Sequence, residues 1–178
     1  GAFASEGRYL AFIDAACRPE PYWLTYARQA FEREANLAAV CGPARTPASA
    51  PFVARACAAS AYSRFTGGHP RRLLPVPPRG DVGAWPALNL VVRRDAFKLT
   101  DGVAACGRDA SDTGFSKALA AKSLGRILYL PELLVWRAGE AELCAHLKRA
   151  GDASAKRGHE ARLSPGAVCK CAYLPPLL

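Results

Sequence analysis

Tyr9-Leu-Ala-Phe-Ile-Asp-Ala-Ala-Cys-Arg-Pro-Glu-Pro-Tyr-Trp-Leu24 is the stretch on which the reading of the fold turns. Its first five residues are an apolar run rich in strand formers, and the run stops at Asp14. The following Arg18-Pro-Glu-Pro21 cannot continue the interior of a sheet, because proline lacks the N–H that a ladder needs. The pattern predicts a buried strand ending at a carboxylate. Pro21 suits the first turn of a helix with its body over Tyr22 to Ala35, where Trp23, Ala27, Ala30 and Phe31 recur on one face. Leu37 to Cys41 then reads as a second short strand, closed by Gly42-Pro43.

Working outward, the same alternation repeats. A loop rich in Pro, Ala and Ser runs to Pro51, and Phe52 to Phe65 carries Phe52, Ala56, Ala59 and Tyr62 at helical spacing before Gly67-Gly68. His69 to Trp85 contains four prolines together with Arg71, Arg72 and Arg79, which predicts a long basic loop. Leu88 to Val92 is strand-like, a short helix is expected around Asp95 to Leu99, and a loop from Asp101 to Ser111 leads to a helix over Asp112 to Leu124. Ile127 to Leu130 and Leu133 to Trp136 complete the strands. Strands alternating with helices indicate an α/β layered fold. From Gly139 the character changes: Glu140 to Arg149 reads as an amphipathic helix, followed by an irregular basic segment with Lys156, Arg157, Arg162 and Lys170. The expected division is therefore residues 1–137 and residues 138–178.

With 178 residues, 51% of them hydrophobic, the chain can bury a core of its own, which excludes disordered and collagen-like classes. Lys and Arg number 24 against 15 Asp and Glu, and the formal charge of +9 points to anionic partners: nucleic acid, a phosphorylated small molecule or an acidic membrane face. Seven Cys at irregular spacing argue for reduced thiols and a cytoplasmic location, and the basic, amphipathic segment after Gly139 extends that to peripheral attachment to a membrane. No apolar run reaches the roughly 18 to 20 residues needed to cross a bilayer. The absence of Met, the start at Gly1 and the apolar ending Tyr173-Leu-Pro-Pro-Leu-Leu178 lead us to expect a fragment.

Several stretches, taken in order, resemble the family 2 glycosyltransferases of GT-A fold, the inverting nucleotide-sugar enzymes that build polysaccharides and glycolipids. Gly1-Ala-Phe-Ala-Ser-Glu-Gly-Arg-Tyr-Leu-Ala-Phe-Ile-Asp14 is similar to the family's approach to its metal-binding acidic motif, and Cys17-Arg-Pro-Glu-Pro-Tyr-Trp-Leu24 to the segment after it. Gly67-Gly-His69 is similar to the close of the helix before the acceptor loop, and Asn89-Leu-Val-Val-Arg-Arg-Asp-Ala-Phe97 to an Asn…Arg-Arg strand and helix. Asp112-Thr-Gly-Phe-Ser116 resembles the opening of the catalytic helix, and Gly125-Arg-Ile-Leu-Tyr-Leu-Pro-Glu132 with Val135-Trp136 the strand pair that follows. The resemblance spans roughly residues 1–137 and implies a GT-A-like sheet lacking its first, nucleotide-recognising strands. An exposed sheet edge is then expected, with oligomerisation, a covering partner chain or poor solubility as its consequence.

The resemblance also implies roles. A departing nucleoside diphosphate gathers negative charge that a divalent metal or cationic side chains must stabilise. The Asp-x-Asp motif that binds Mg²⁺ or Mn²⁺ reads Asp14-Ala15-Ala16 here, so one carboxylate is expected to bind metal and diphosphate; alternatively, Asp14 caps a turn. Asp112 is the expected general base, with Asp109 nearby as a substitute, and a helix N-cap is the plainer role for Asp112. Arg93 and Arg94 are expected at the diphosphate or acceptor, or in solvent. Trp85, Asn89 and Asp109 are assigned to the substrate, Trp85 as a surface on which a sugar ring stacks. Trp23 and Trp136 lie in apolar patterns and read as core.

The expected partners are a nucleotide-sugar donor, a glycan or lipid-linked acceptor and an anionic membrane surface. Two rivals stand beside this reading. Ala16 in place of a metal ligand and a thinned acidic cluster suit a non-catalytic remnant acting as a binding or accessory subunit. A basic nucleic-acid-associated protein fits the charge, although no nucleic-acid motif is present. His69, His146 and His159 do not fall at zinc spacing with any Cys pair.

Overall fold

The computed structural model describes residues 2–62, 70–72, 74–83, 85–100, 114–138 and 142–163. The expected apolar runs become strands β1 (Tyr9–Ile13), β3 (Leu37–Cys41), β6 (Asn89–Arg93) and β7 (Arg126–Tyr129), joined by β5 (Gly80–Asp81) in a five-stranded sheet of order β1-β6-β3-β7-β5. The expected helices become α1 (Trp23–Arg33), α2 (Phe52–Tyr62), α3 (Arg94–Leu99), α4 (Gly114–Ala121) and α5 (Leu143–Leu163). Three short strands, β2 (Cys17–Pro19), β4 (Ala44–Arg45) and β8 (Val135–Arg137), form a second sheet in the order β2-β8-β4. Pro19 is accommodated because β2 is an edge strand of that sheet. The protein is thus of the α/β class.

Strand direction in the large sheet follows from its pairings. β6 runs antiparallel to both β1 and β3, while β3 and β7 are parallel and β5 is antiparallel to β7. The strands β1, β3 and β7 therefore point the same way, and Asp14, Gly42 and Leu130 follow their carboxyl ends.

Alternation along the strands divides the core. Leu10, Leu90, Val92, Ala39, Cys41, Ile127 and Tyr129 face α3 and α4, where they meet Ala96, Phe97, Phe115 and Leu119. Val91, Val40, Leu37 and Leu128 face α1, meeting Trp23, Ala27, Ala30 and Phe31. These four are the residues that the helical periodicity of the sequence places on one face. Each large apolar side chain fully removed from water in this way contributes about 1.5–3 kcal/mol.

Two glycines are required by close approach. A Cβ on Gly42 would lie 2.1 Å from the carbonyl oxygen of Leu133, and Gly125 has φ +127° with Asn36 O 2.6 Å from where a Cβ would stand. Beside Gly125, Arg126 is bonded to both carboxylate oxygens of Asp81 and to Glu34. The hydrogen bond and opposite charge of Asp81 raise the pKa of this guanidinium, with Glu34 adding to them, so it stays protonated across the working pH range.

The chain divides into two compact units, Gly1–Ala44 with Leu74–Trp136, and Arg45–Leu73 with Arg137–Leu178. Residues 45–73, assigned from the sequence to the first domain, thus cluster with the C-terminal helix, where α2 touches α5. Two expectations are corrected in this second unit. On α2 the buried residues are Ala54 and Cys57, whereas Phe52 is 80% exposed and Ala56 and Ala59 face solvent. The helix is apolar nearly all round, so periodicity alone does not select its buried stripe. The segment expected to be irregular continues α5 through Lys156, Arg157 and Arg162, because its Ala, Lys, Arg and Glu content favours helix despite Gly151 and Gly158. Lys170 and the ending 173–178 lie outside the described residues. Among the described residues, no helix is long and apolar enough to cross a membrane.

Candidate functional site

Ligands of open α/β sheets bind beyond the carboxyl ends of the parallel strands, where backbone and side chains converge without being covered by helices. Asp14 occupies that position at the end of β1. Its backbone N–H donates to Leu88 O, its carbonyl accepts from Cys17 N–H, and Oδ1 accepts from Ala16 N–H at 2.9 Å. The turn-capping role expected for Asp14 is therefore present. Its side chain is half-buried and lines an open cleft of about 320 Å³ with Ala11, Phe12, Ile13, Ala87 and Leu88.

The chain enters α4 at the same end of the sheet. Ser116 Oγ donates to Trp85 O at 2.8 Å and accepts from Trp85 N–H at 2.7 Å, while Trp85 Nε1–H donates to Gly42 O at 3.1 Å. The Phe115 ring meets Phe12, two residues before Asp14, with centroids 6.0 Å apart. The first turn of α4 is thereby fixed between the end of β3 and the last part of β1. Asp109 and Asp112 lie outside the described residues.

Two assigned substrate contacts are corrected by burial. Trp85 is only 2% exposed, with its ring against Tyr129 and its indole N–H engaged, so no face is open to a sugar. Asn89 is fully buried: Oδ1 accepts from Trp23 Nε1–H at 2.9 Å, and Nδ2 donates to Pro43 O and Leu133 O. It ties α1, the end of β3 and the segment after β7 together, which is a structural task. Of the remaining tryptophans, Trp23 is core as expected, and Trp136 is half-buried with its indole N–H donated to Glu20.

Arg93 and Arg94 are not brought to Asp14. The antiparallel register sets Arg93 opposite Tyr9 and Asn89 opposite Ile13. At about 3.4 Å per residue, the five steps from Tyr9 to Asp14 separate the two ends by roughly 17 Å. Both guanidiniums are also anchored at the far end. Arg93 donates to Leu37 O at 2.6 Å and Ala35 O at 2.9 Å and lies over the Phe31 ring, while Arg94 donates to Glu6 O at 3.0 Å. Arg79 of the basic loop pairs with Glu132 at 2.9 Å.

No protein-family model matches the chain, and no curated protein matches it. The chemistry therefore rests on the residues themselves. Among the described residues, no group of three or more His, Cys, Asp or Glu side chains could hold a metal ion. Asp14 supplies one carboxylate beside Ala15 and Ala16. That donor set does not make a protein cage, but it fits Mg²⁺, which keeps several waters and binds through one or two carboxylates together with substrate phosphates. Sequence reading took Gly42-Pro43 only as the close of a strand, and it missed Ser116, since a serine in a helix carries no distinguishing local signal. It also missed the convergence of Arg8 and Lys98 on Arg93 and Arg94.

Proposed function

We propose that the unit built on the five-stranded sheet is a glycosyltransferase-like domain of GT-A type, with its donor diphosphate directed to the cleft at Asp14. The observation that carries this reading is the half-buried carboxylate of Asp14, lining an open cleft at the carboxyl end of edge strand β1, beside Ala87 and Leu88 that lead into β6. The ordered resemblance of residues 1–137 to family 2 enzymes supports it. So does the anchoring of α4's first turn at the same sheet end, because the stretch leading into that helix carries Asp112, the proposed general base.

In an inverting transfer the acceptor hydroxyl loses its proton as it attacks the anomeric carbon, and a carboxylate within hydrogen-bond reach takes that proton. Asp112 is proposed for this role. Asp14 would hold a divalent ion through one carboxylate oxygen, and that ion supplies charge stabilisation for the departing diphosphate. Phe12 and Ile13, with Ala87 and Leu88, line the cleft beside Asp14, and the cleft opens to solvent.

Titration calorimetry with UDP and GDP, in Mn²⁺ and in chelator, tests the reading. Metal-dependent binding that Asp14→Ala abolishes is expected, and binding that survives both chelator and Asp14→Ala would overturn it. A second reading, a non-catalytic remnant serving as an accessory subunit, is favoured by one observation: Asp14 Oδ1 already serves the turn, and neither Ala15 nor Ala16 adds a ligand. It predicts no nucleotide binding under either condition.

A further inference from the structure

At the amino end of β1, where antiparallel β6 ends, lies a second cleft of about 300 Å³, away from Asp14 and lined by Arg8, Arg93, Arg94, Asp95 and Lys98. We propose that this cleft is a binding site for a phosphoryl group on a small molecule, independent of the donor site proposed above.

Four cationic side chains meet there with one carboxylate. One carboxylate does not offset four cations: Asp95 Oδ1 accepts from Ala96 N–H at 2.8 Å, and no ion pair joins it to Arg8, Arg93, Arg94 or Lys98. The cations divide by task. Arg93 spends Nε and Nη2 on the carbonyls of Leu37 and Ala35, so it forms the wall and contributes charge. Arg94 is held by Nη1 to Glu6 O, yet its Nε is buried without a hydrogen-bond partner. A buried donor on a charged group left without an acceptor is costly, and negative charge brought into the cleft that Arg94 lines offsets part of that cost. Arg8 and Lys98 are exposed at the rim, with Arg8 against the Tyr9 ring, and both are long enough to close on an anion.

A phosphoryl group answers this arrangement better than a carboxylate does. It carries up to two charges and three acceptor oxygens, matching several converging cations, and guanidinium forks bind it through paired N–H donors. The cleft is at the lower end of the size range of small-molecule sites, which suits a phosphomonoester with a small organic body. That group could belong to a soluble metabolite or to a lipid headgroup such as phosphatidic acid.

Calorimetric titration of the full chain with inorganic phosphate at fixed ionic strength, with and without chelator, tests the site. Saturable, metal-independent binding is expected, weakened at least tenfold in Arg8→Gln/Lys98→Gln and unchanged in Asp14→Ala. The double variant removes only exposed side chains, and circular dichroism confirms its fold. Absence of saturable binding, or equal affinity in the double variant, overturns the proposal. Flotation with phosphatidylcholine vesicles, with and without phosphatidic acid, separates the sources. Phosphatidic-acid-dependent flotation lost in the double variant assigns the lipid, and phosphate binding without flotation assigns the soluble phosphomonoester. Loss of phosphate binding with retained Mn²⁺-dependent UDP or GDP binding overturns this site alone, and the reverse overturns only the donor-site reading.

Discussion

Asn89→Ala removes the side chain that joins three segments of the first unit, and its cost can be worked out group by group. Asn89 Oδ1 accepts from the indole N–H of Trp23, which is 2% exposed, and Nδ2 donates to the carbonyls of Pro43 and Leu133. Pro43 O keeps a second donor, the N–H of Val135 at 3.0 Å, so it is not orphaned. The indole N–H and Leu133 O are. At about 1–3 kcal/mol for each buried polar group left unsatisfied, the two together cost about 2–6 kcal/mol. A loss near 4 kcal/mol lowers Tm by roughly 8–16 °C, given about 2–4 °C per kcal/mol for a chain of this size. Urea denaturation followed by tryptophan fluorescence and by circular dichroism measures the change. A cycle with Trp23→Phe isolates the indole bond, because the double variant removes both donor and acceptor. Coupling of about 0.5–3 kcal/mol is expected. A loss below about 1 kcal/mol, or additive single effects, would refute the structural role. Wild-type stability combined with weakened nucleotide binding would return Asn89 to the substrate.

Gly42→Ala places a Cβ 2.1 Å from Leu133 O, a clash with backbone that no rotamer relieves, and thermal melts are expected to show a larger loss than Asn89→Ala or no cooperative unfolding. Trp85→Phe deletes the bond to Gly42 O and is expected to cost about 1–3 kcal/mol in urea melts, with no effect on any sugar interaction beyond that of lost stability. On α2, Phe52→Ala is expected to stay within about 0.5 kcal/mol of the parent, whereas Ala54→Leu at a buried position is expected to cost about 1–3 kcal/mol. Equal effects of the last two in chemical denaturation would contradict the assigned face of the helix.

The principal strands and helices were legible because each has a strong local signal. The runs at 9–13 and 37–41 appear with the expected bounds, and α1 buries the four residues its periodicity selects. What was not legible is non-local or too short. β4 and β5 have two residues each and β2 three, which is less than any alternation needs, whereas the run expected over Leu133 to Trp136 appears as β8, shifted toward Arg137. The site was legible only as a position, Asp14 at a strand end. Its partners were not, because Trp85 lies in a proline-rich stretch whose composition conceals a core residue, and Asn89 reveals its role only when Trp23, Pro43 and Leu133 are brought around it. Asn89 was expected at the substrate and Arg93 at the diphosphate or acceptor, or in solvent, four residues apart on one strand. A strand carries residues four apart to different ends of a sheet.

That separation has an electrostatic consequence. Asp14 and the Arg8–Lys98 cleft stand roughly 17 Å apart along the β1 direction. Both open to solvent, where the Debye length is about 8 Å at physiological ionic strength, so charge added at one is largely screened at the other. The two proposed sites are therefore expected to fill independently. In calorimetry at physiological salt, phosphate bound at the cationic cleft should leave the Mn²⁺-dependent affinity for UDP or GDP unchanged, and Arg8→Gln/Lys98→Gln should do the same. At about 0.01 M ionic strength the Debye length grows to about 30 Å, and a modest coupling should appear in both titrations. Because linkage is reciprocal, nucleotide must then alter phosphate affinity by the same factor that phosphate alters nucleotide affinity. A coupling that persists undiminished at physiological salt would mean that the sites communicate through the β1–β6 ladder itself rather than through the field between them.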